Sequence, residues 1–252
     1  MNKLYDGNIS LLEETHKYIL KDDPAFEFTS ATTFIHYFFK QFDTVGIANN
    51  LTSTNERYQH LSSAELIAQW DKIAEEGSIV HSEIEQFIKK GALPTRPKSK
   101  LAVNWIKNKI DEKYELSPEV IVYSKELGIA GTIDLLLYDT EDSTYKILDW
   151  KTSKRIFTSS YNSQMGNTPE SANLMDCNFI HYSLQLSLYQ YLLENYYGIN
   201  VTGSAIIHID ENKITSYKTQ YFKNEIENML NADLKALKQR AEDSLTKEIA
   251  RM

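Results

Sequence analysis

Two aspartates and a lysine, Asp134, Asp149 and Lys151, sit in apolar stretches of this 252-residue chain. Asp134 lies in Gly128-Ile-Ala-Gly-Thr-Ile-Asp-Leu-Leu-Leu-Tyr138, and the other two in Tyr145-Lys-Ile-Leu-Asp-Trp-Lys-Thr-Ser153. Both stretches alternate like core strands, and Asp-Thr-Glu-Asp-Ser at 139–143 between them reads as a turn, so together they predict a β-hairpin. Side chains two apart on a strand share a face, so Asp149 and Lys151 point the same way. Charges set in strands this apolar must be paired or bound. Two carboxylates converging there would form a cation site, since hard divalent ions take oxygen ligands, with an ammonium beside it. A structural ion pair between Lys151 and one aspartate is the competing reading, although a buried pair is a weak source of stability.

The Asp-x-Lys spacing alone decides nothing, because about one instance per 250 residues is expected by chance. Asp111 and Lys113, and Asp233 and Lys235, show the same spacing in helix-like surroundings, and Glu211 with Lys213 shows it in a turn. Only Asp149 and Lys151 follow an apolar strand that has a carboxylate-bearing strand before it.

The elements that must position these groups follow from periodicity and punctuation. A short hairpin is expected around Lys21-Asp-Asp-Pro24. Ser30 or Thr32 caps a helix expected to reach about Val45, and residues 49–61 are polar and irregular. Ser62-Ser-Ala-Glu65 reads as a capping box that opens a helical region to about Lys90, with Gly77 as a point of breakage. The prolines in Leu93-Pro-Thr-Arg-Pro97 make a loop, and a further helix covers about 98–113. Strands are expected at 118–127, 129–138 and 145–151. A polar, structureless segment at 154–178 beside the site suggests a lid or a segment ordered by substrate. A helix over 179–197 ends at Gly198, and strands at 201–210 and 214–221 precede a C-terminal helix from 223. His81 and Glu85 lie four apart and project from one helix face, as do Gln185 and Tyr189 with His181 a turn earlier.

In this order, Gly77-Ser-Ile-Val-His81, Gly131-Thr-Ile-Asp134, Leu148-Asp149-Trp150-Lys151-Thr-Ser153 and Gln185-Leu-Ser-Leu-Tyr189 resemble the PD-(D/E)XK nuclease superfamily, and within it the RecB-like exonucleases. Phe28-Thr-Ser30-Ala-Thr32 before a helix is similar to a motif of mitochondrial genome maintenance exonucleases and their phage and viral relatives. Ile133 stands where the superfamily's leading proline would be, and that proline is not a ligand. The resemblance implies an α/β restriction-endonuclease-like core, a mixed central sheet flanked by helices, with an N-terminal helical elaboration. It implies one domain over 1–252: a helical part to about 115, a catalytic core over 116–222 and a C-terminal helix over 223–252.

The resemblance also implies roles. His81, Asp134, Asp149 and the carbonyl of Trp150 would hold Mg²⁺ or Mn²⁺, and an imidazole among oxygens suits Mn²⁺ somewhat better. Lys151 would orient or deprotonate the attacking water, or neutralise charge in the transition state. Gln185 and Tyr189 would flank the scissile phosphate; the bland reading is a solvated helix face. Glu85 and Glu119 would stand behind the ligands, or be an exposed charge and a strand-edge residue. Ser30 and Thr32 would meet phosphate or only cap a helix, and Lys154 and Arg155 would meet DNA. Tyr37, Phe38 and Phe39 would stack on bases, or equally belong to the core. The activity implied is metal-dependent hydrolysis of DNA from single-stranded or flapped ends, in replication, repair or recombination, with proteins of those processes as possible partners. An endonuclease, or a non-catalytic DNA-binding module on the same fold, remains open.

Composition bounds these readings. At 42% hydrophobic residues the chain can bury one substantial core. The single cysteine, Cys177, excludes a four-cysteine iron–sulfur cluster within this chain. A net charge of −8 argues against a general DNA coat protein. Local basic runs, from Lys89 to Lys113 and at Lys151, Lys154 and Arg155, leave room for a DNA track, although they also suit solvated helix faces. No apolar run approaches the roughly 20 residues of a membrane helix. The start lacks signal-peptide or transit character, so a soluble, intracellular protein is expected.

Overall fold

The central strand β5 (Ile129–Asp139) explains most of the architecture, because it has different neighbours along its length. The structure, a computed structural model, describes residues 3–5, 7–12 and 14–249. Along one edge of β5, β4 (Tyr114–Ser124) runs antiparallel. Along the other edge, the two-residue β3 (Thr29–Ser30) pairs in parallel with Ile129 and Ala130, and β6 (Thr144–Lys151) pairs antiparallel from Leu135 onward. β6 then continues in parallel with β7 (Val201–Ile209), and β8 (Ile214–Lys218) closes that side.

Helices cover both faces of this mixed sheet, and each face has its own core. On one side α5 (Asn178–Tyr196), the crossover between β6 and β7, packs Leu184, Leu188 and Leu192 against Val122, Ile133 and Ile147. Phe34 and Phe38 of the short α1 (Ala31–His36) and the turn after it join this cluster. On the other side α3 (Ser63–Lys90) and α4 (Pro97–Lys109) set Val80, Ile84, Ala102 and Ile106 against Leu135, Leu148 and Trp150. No helix among the described residues is long and apolar enough to cross a membrane.

Several expected boundaries move. α3 passes through Gly77 without a break; the capping box of Ser62 and Glu65 starts it, and Gly91 at φ 69° ends it in the left-handed region open to glycine. The helix expected from Ser30 to Val45 stops at His36, and Asp43 caps a separate α2 (Thr44–Thr54), which occupies part of the segment expected to be irregular. The N-terminal hairpin is β1 (Ile9–Leu12) with β2 (Lys17–Leu20), so its turn precedes the expected one, and the N-terminal part is not only helical. The C-terminal helix is two, α6 (Lys223–Leu230) and α7 (Leu234–Ile249).

The segment at 154–178 is not structureless. Met165 and Met175 form a β-bridge. Buried Ser171 donates its hydroxyl to the carbonyl of Phe38 at 2.6 Å, and the Asn167 N–H donates to the same carbonyl at 3.1 Å. Polar residues make this loop compact and tie it to the turn after α1 through bonds that leave no periodic trace.

Candidate metal centre

A fork in the sheet creates the site. The β5–β6 ladder ends at Leu135 and Leu148, one residue short of the place where Asp134 would face Asp149. Beyond that point β6 pairs only with β7, so each prong of the fork carries one aspartate. The Trp150 N–H, released from the ladder, donates to Asp134 Oδ2 at 2.8 Å. β4 loosens at the same level: Pro118 pairs with Leu135 and Val120 with Ile133, but Glu119 between them adopts φ 53°. Positive φ is uncommon for a residue with a side chain, and here it marks a local irregularity in the strand. Ile133 packs in the α5-side core and Leu135 in the α3-side core. Residues two apart on a regular strand share a face, so the alternation of β5 reverses at Asp134.

α3 supplies the nitrogen of the group. A methyl group at Gly77 would lie 2.8 Å from Thr152 Oγ1, so glycine permits α3 to pass close to the end of β6. One turn later His81 reaches the fork, with Nδ1 3.5 Å from Asp134 Oδ2. His81, Glu119 and Asp134 each offer one ligand atom, all within 4.8 Å of one another. The side chains of His81 and Asp134 keep 27% and 13% of their surface open to solvent, so an ion has access.

Sequence reasoning placed Glu119 behind the ligands, whereas the structure groups it with His81 and Asp134. The available signal was Pro118, which cannot donate to a ladder. Asp149 lies outside this group. It is buried, with Oδ2 2.7 Å from the ammonium of Lys151.

The electrostatics show carboxylates crowded into a partly dry fork. Burial and the nearby Asp134 push Glu119 up to about 7. Burial raises Asp149 to about 6 even with Lys151 beside it, and Asp134 adds to the rise. Burial alone would lower His81, but the Asp134 carboxylate outweighs it and the imidazole is raised. Burial opposes ionisation of Asp134 too, yet His81, Lys151 and the Trp150 N–H together lower it. Burial would also lower Lys151; Asp149 and Asp134 overcome that and raise it. Proximity of like charges and burial are the recognised causes of such shifts, which concentrate at functional sites.

α5 walls the far side. Tyr182 places its ring 4.5 Å from the Lys151 ammonium, a cation–π contact that no motif announced. Gln185 Nε2 donates to the Tyr189 hydroxyl at 2.8 Å. Tyr189 is buried under Gly131 rather than on a solvated face. Tyr18 of β2 reaches Thr132 on β5 at 3.0 Å, an approach from the N-terminal hairpin that the sequence did not suggest.

Other expected residues stand apart from the group. Glu85 pairs with Lys89 at 2.5 Å, although its charge adds to the rise at Glu119. Ser30 caps α1, accepting the Thr33 N–H at 3.1 Å, while Thr32 is exposed. Lys154 and Arg155 are exposed just past the fork. Phe38 and Phe39 are core residues, unavailable for stacking, and Tyr37 is half-buried.

One imidazole and two clustered carboxylates form a donor set that fits a divalent cation. The sequence matches the PD-(D/E)XK nuclease superfamily over residues 15–252. The chain therefore belongs to that superfamily, and its mixed sheet flanked by helices, with the N-terminal additions, is a restriction-endonuclease-like core. No curated protein matches the chain. Among solved structures, one described as "Crystal structure of SSO0001" is similar over 86% of this chain and 74% of its own, at 14% identity and a TM-score of 0.35, too slight a likeness to carry an argument.

Proposed function

We propose that this protein is a divalent-metal-dependent DNA exonuclease of the RecB-like branch, acting from single-stranded or flapped ends in replication, repair or recombination. The observation that carries this reading is the grouping of His81, Glu119 and Asp134 within 4.8 Å, one strand from the Lys151 ammonium. These three residues are the primary ligands for Mg²⁺ or Mn²⁺, and Asp149 and the Trp150 carbonyl are the remaining oxygen donors. A divalent ion there would act as a Lewis acid, lowering the pKa of water and offsetting charge on the phosphoryl oxygens.

The chain's own residues do the rest. Lys151, held between Asp149 and the Tyr182 ring, directs its N–H bonds at the attacking water and a phosphoryl oxygen. Water oxygen bonds to phosphorus as the bond to the leaving sugar oxygen breaks, and the proton that the water gives up passes through solvent to that oxygen. Gln185, oriented by its bond to the buried Tyr189 hydroxyl, positions the scissile phosphate. Glu85 supports the centre through its charge. Ser30, Thr32, Lys154 and Arg155 meet the DNA backbone.

The test is incubation of the protein with end-labelled linear and with circular DNA, in Mg²⁺, Mn²⁺ or EDTA. Metal-dependent loss of linear DNA with circles left intact is expected. Cutting of circles would make it an endonuclease, and no cleavage of any substrate would leave a binding module.

A further inference from the structure

We propose that a cleft beside the metal centre holds one or two nucleotides of the single strand, with a base on its apolar floor and phosphates against Lys72 and Lys154. This inference rests on the nuclease reading above and names where the strand continues beyond the scissile bond.

The cleft encloses about 700 Å³ between the middle of α3, the start of α4, the segment after β6 and the β7–β8 turn. That falls within the roughly 300–1,000 Å³ of small-ligand sites. Its position ties it to the centre. Gly77, one turn before His81, and Thr152, next to Lys151, are both in its wall.

Its chemistry suits a nucleotide. Ile73, Gly77, Val80 and Pro97 provide an apolar floor, and Ile73 is 63% exposed although it is aliphatic. The charged residues of the rim divide into pairs and remainders. Arg96 binds Glu76 at 3.3 Å, and Lys98 binds Glu211 at 3.1 Å and the Thr152 carbonyl at 3.0 Å. Asp210 accepts the Glu211 N–H at 2.7 Å. Lys72 and Lys154 have no carboxylate within 4.0 Å among the described residues. Two unpaired ammoniums against one remaining carboxylate favour an anion, and the floor favours a ligand with an apolar face. A nucleotide strand meets both demands, its bases stacking and its phosphates pairing with lysines.

The experiment measures fluorescence anisotropy of a labelled oligothymidine with the whole protein in EDTA, across a salt series. Lys72 and Ile73 are exposed, so Lys72→Glu, Lys72→Ala and Ile73→Asp should fold, as circular dichroism would verify. We expect Lys72→Glu and Ile73→Asp each to weaken binding by about tenfold. Lys72→Ala should reduce the slope of log K against log salt by roughly 0.7, the loss of one phosphate contact to a single strand. If the wild-type protein binds or cleaves DNA while all three variants bind with unchanged affinity and slope, the cleft is not the strand's path and the nuclease proposal stands. If the wild-type protein neither binds the oligonucleotide nor cleaves DNA with metal, the nuclease reading fails and the cleft proposal fails with it.

Discussion

Replacing Gly131 by alanine tests whether close packing between β5 and α5 holds the site together. The added methyl would lie 2.4 Å from Tyr189 Cε1 and 3.1 Å from both Tyr189 Cζ and Ala31 Cβ. Carbon atoms prefer about 3.5–4.0 Å, so the ring would have to withdraw by about 1 Å. It is only 3% exposed and its hydroxyl is tied to Gln185, which leaves little room to move. Overpacking of this kind costs about 1–3 kcal/mol, and alanine recovers about 0.4–1 kcal/mol by restricting the unfolded chain. A net loss of about 1–2 kcal/mol should lower Tm by about 3–7 °C for a protein of this size. Thermal and urea unfolding would measure it. In a Tyr189→Ala background the main obstacle is gone and only the 3.1 Å contact with Ala31 Cβ remains, so Gly131→Ala should be close to neutral there, giving a coupling of about 1–2 kcal/mol in a double-mutant cycle. An equal cost in both backgrounds would show that the ring is not what excludes a side chain from position 131.

Three further outcomes follow from the site and its supports. Glu119→Gln and Asp134→Asn should each weaken Mn²⁺ binding, measured by calorimetry, by on the order of tenfold or more, since each removes a charged oxygen donor; wild-type affinity in Glu119→Gln would remove that residue from the ligand set. Lys151→Ala should abolish cleavage while leaving DNA binding in EDTA largely intact, and an active variant would refute the role given to the ammonium. Glu83 tests pH dependence away from the centre: its carboxylate accepts from the Thr95 and Arg96 N–H groups at 3.1 and 3.0 Å and from the Thr95 hydroxyl. Burial would raise it, but these bonds prevail and bring it to about 2. A carboxyl depressed on folding stabilises fully above its unfolded value near 4.5 and loses that contribution as pH falls towards 2. Glu83 is partly open to solvent, so its share is discounted to about 1 kcal/mol. Denaturation midpoints of wild type and Glu83→Gln should therefore differ at neutral pH, and the gap should close progressively as pH falls from about 4.5 towards about 2; a gap independent of pH would show that the charge does not matter.

The amino-acid sequence by itself determined what rests on short-range pattern. Alternation placed Asp149 and Lys151 on one strand face, the Ser62–Glu65 box started α3, and four-residue spacing put Gln185 within reach of Tyr189. The Gly77 and His81 spacing was legible as well, although its cause, the approach of α3 to Thr152, was not. The fork could be read from no segment alone. It arises because β6 stays paired with β7, a strand more than fifty residues later, after its ladder with β5 has ended at Leu148. Only that divergence frees the Trp150 N–H for Asp134, and only the positive φ of Glu119 brings a third strand's carboxylate alongside. The same limit explains Phe38 and Phe39, whose spacing serves stacking or core equally well until α5 closes over them. Local periodicity encodes which face a side chain takes, whereas a candidate metal centre assembled from three strands and a helix depends on how distant segments register, and that is settled by packing of the whole chain.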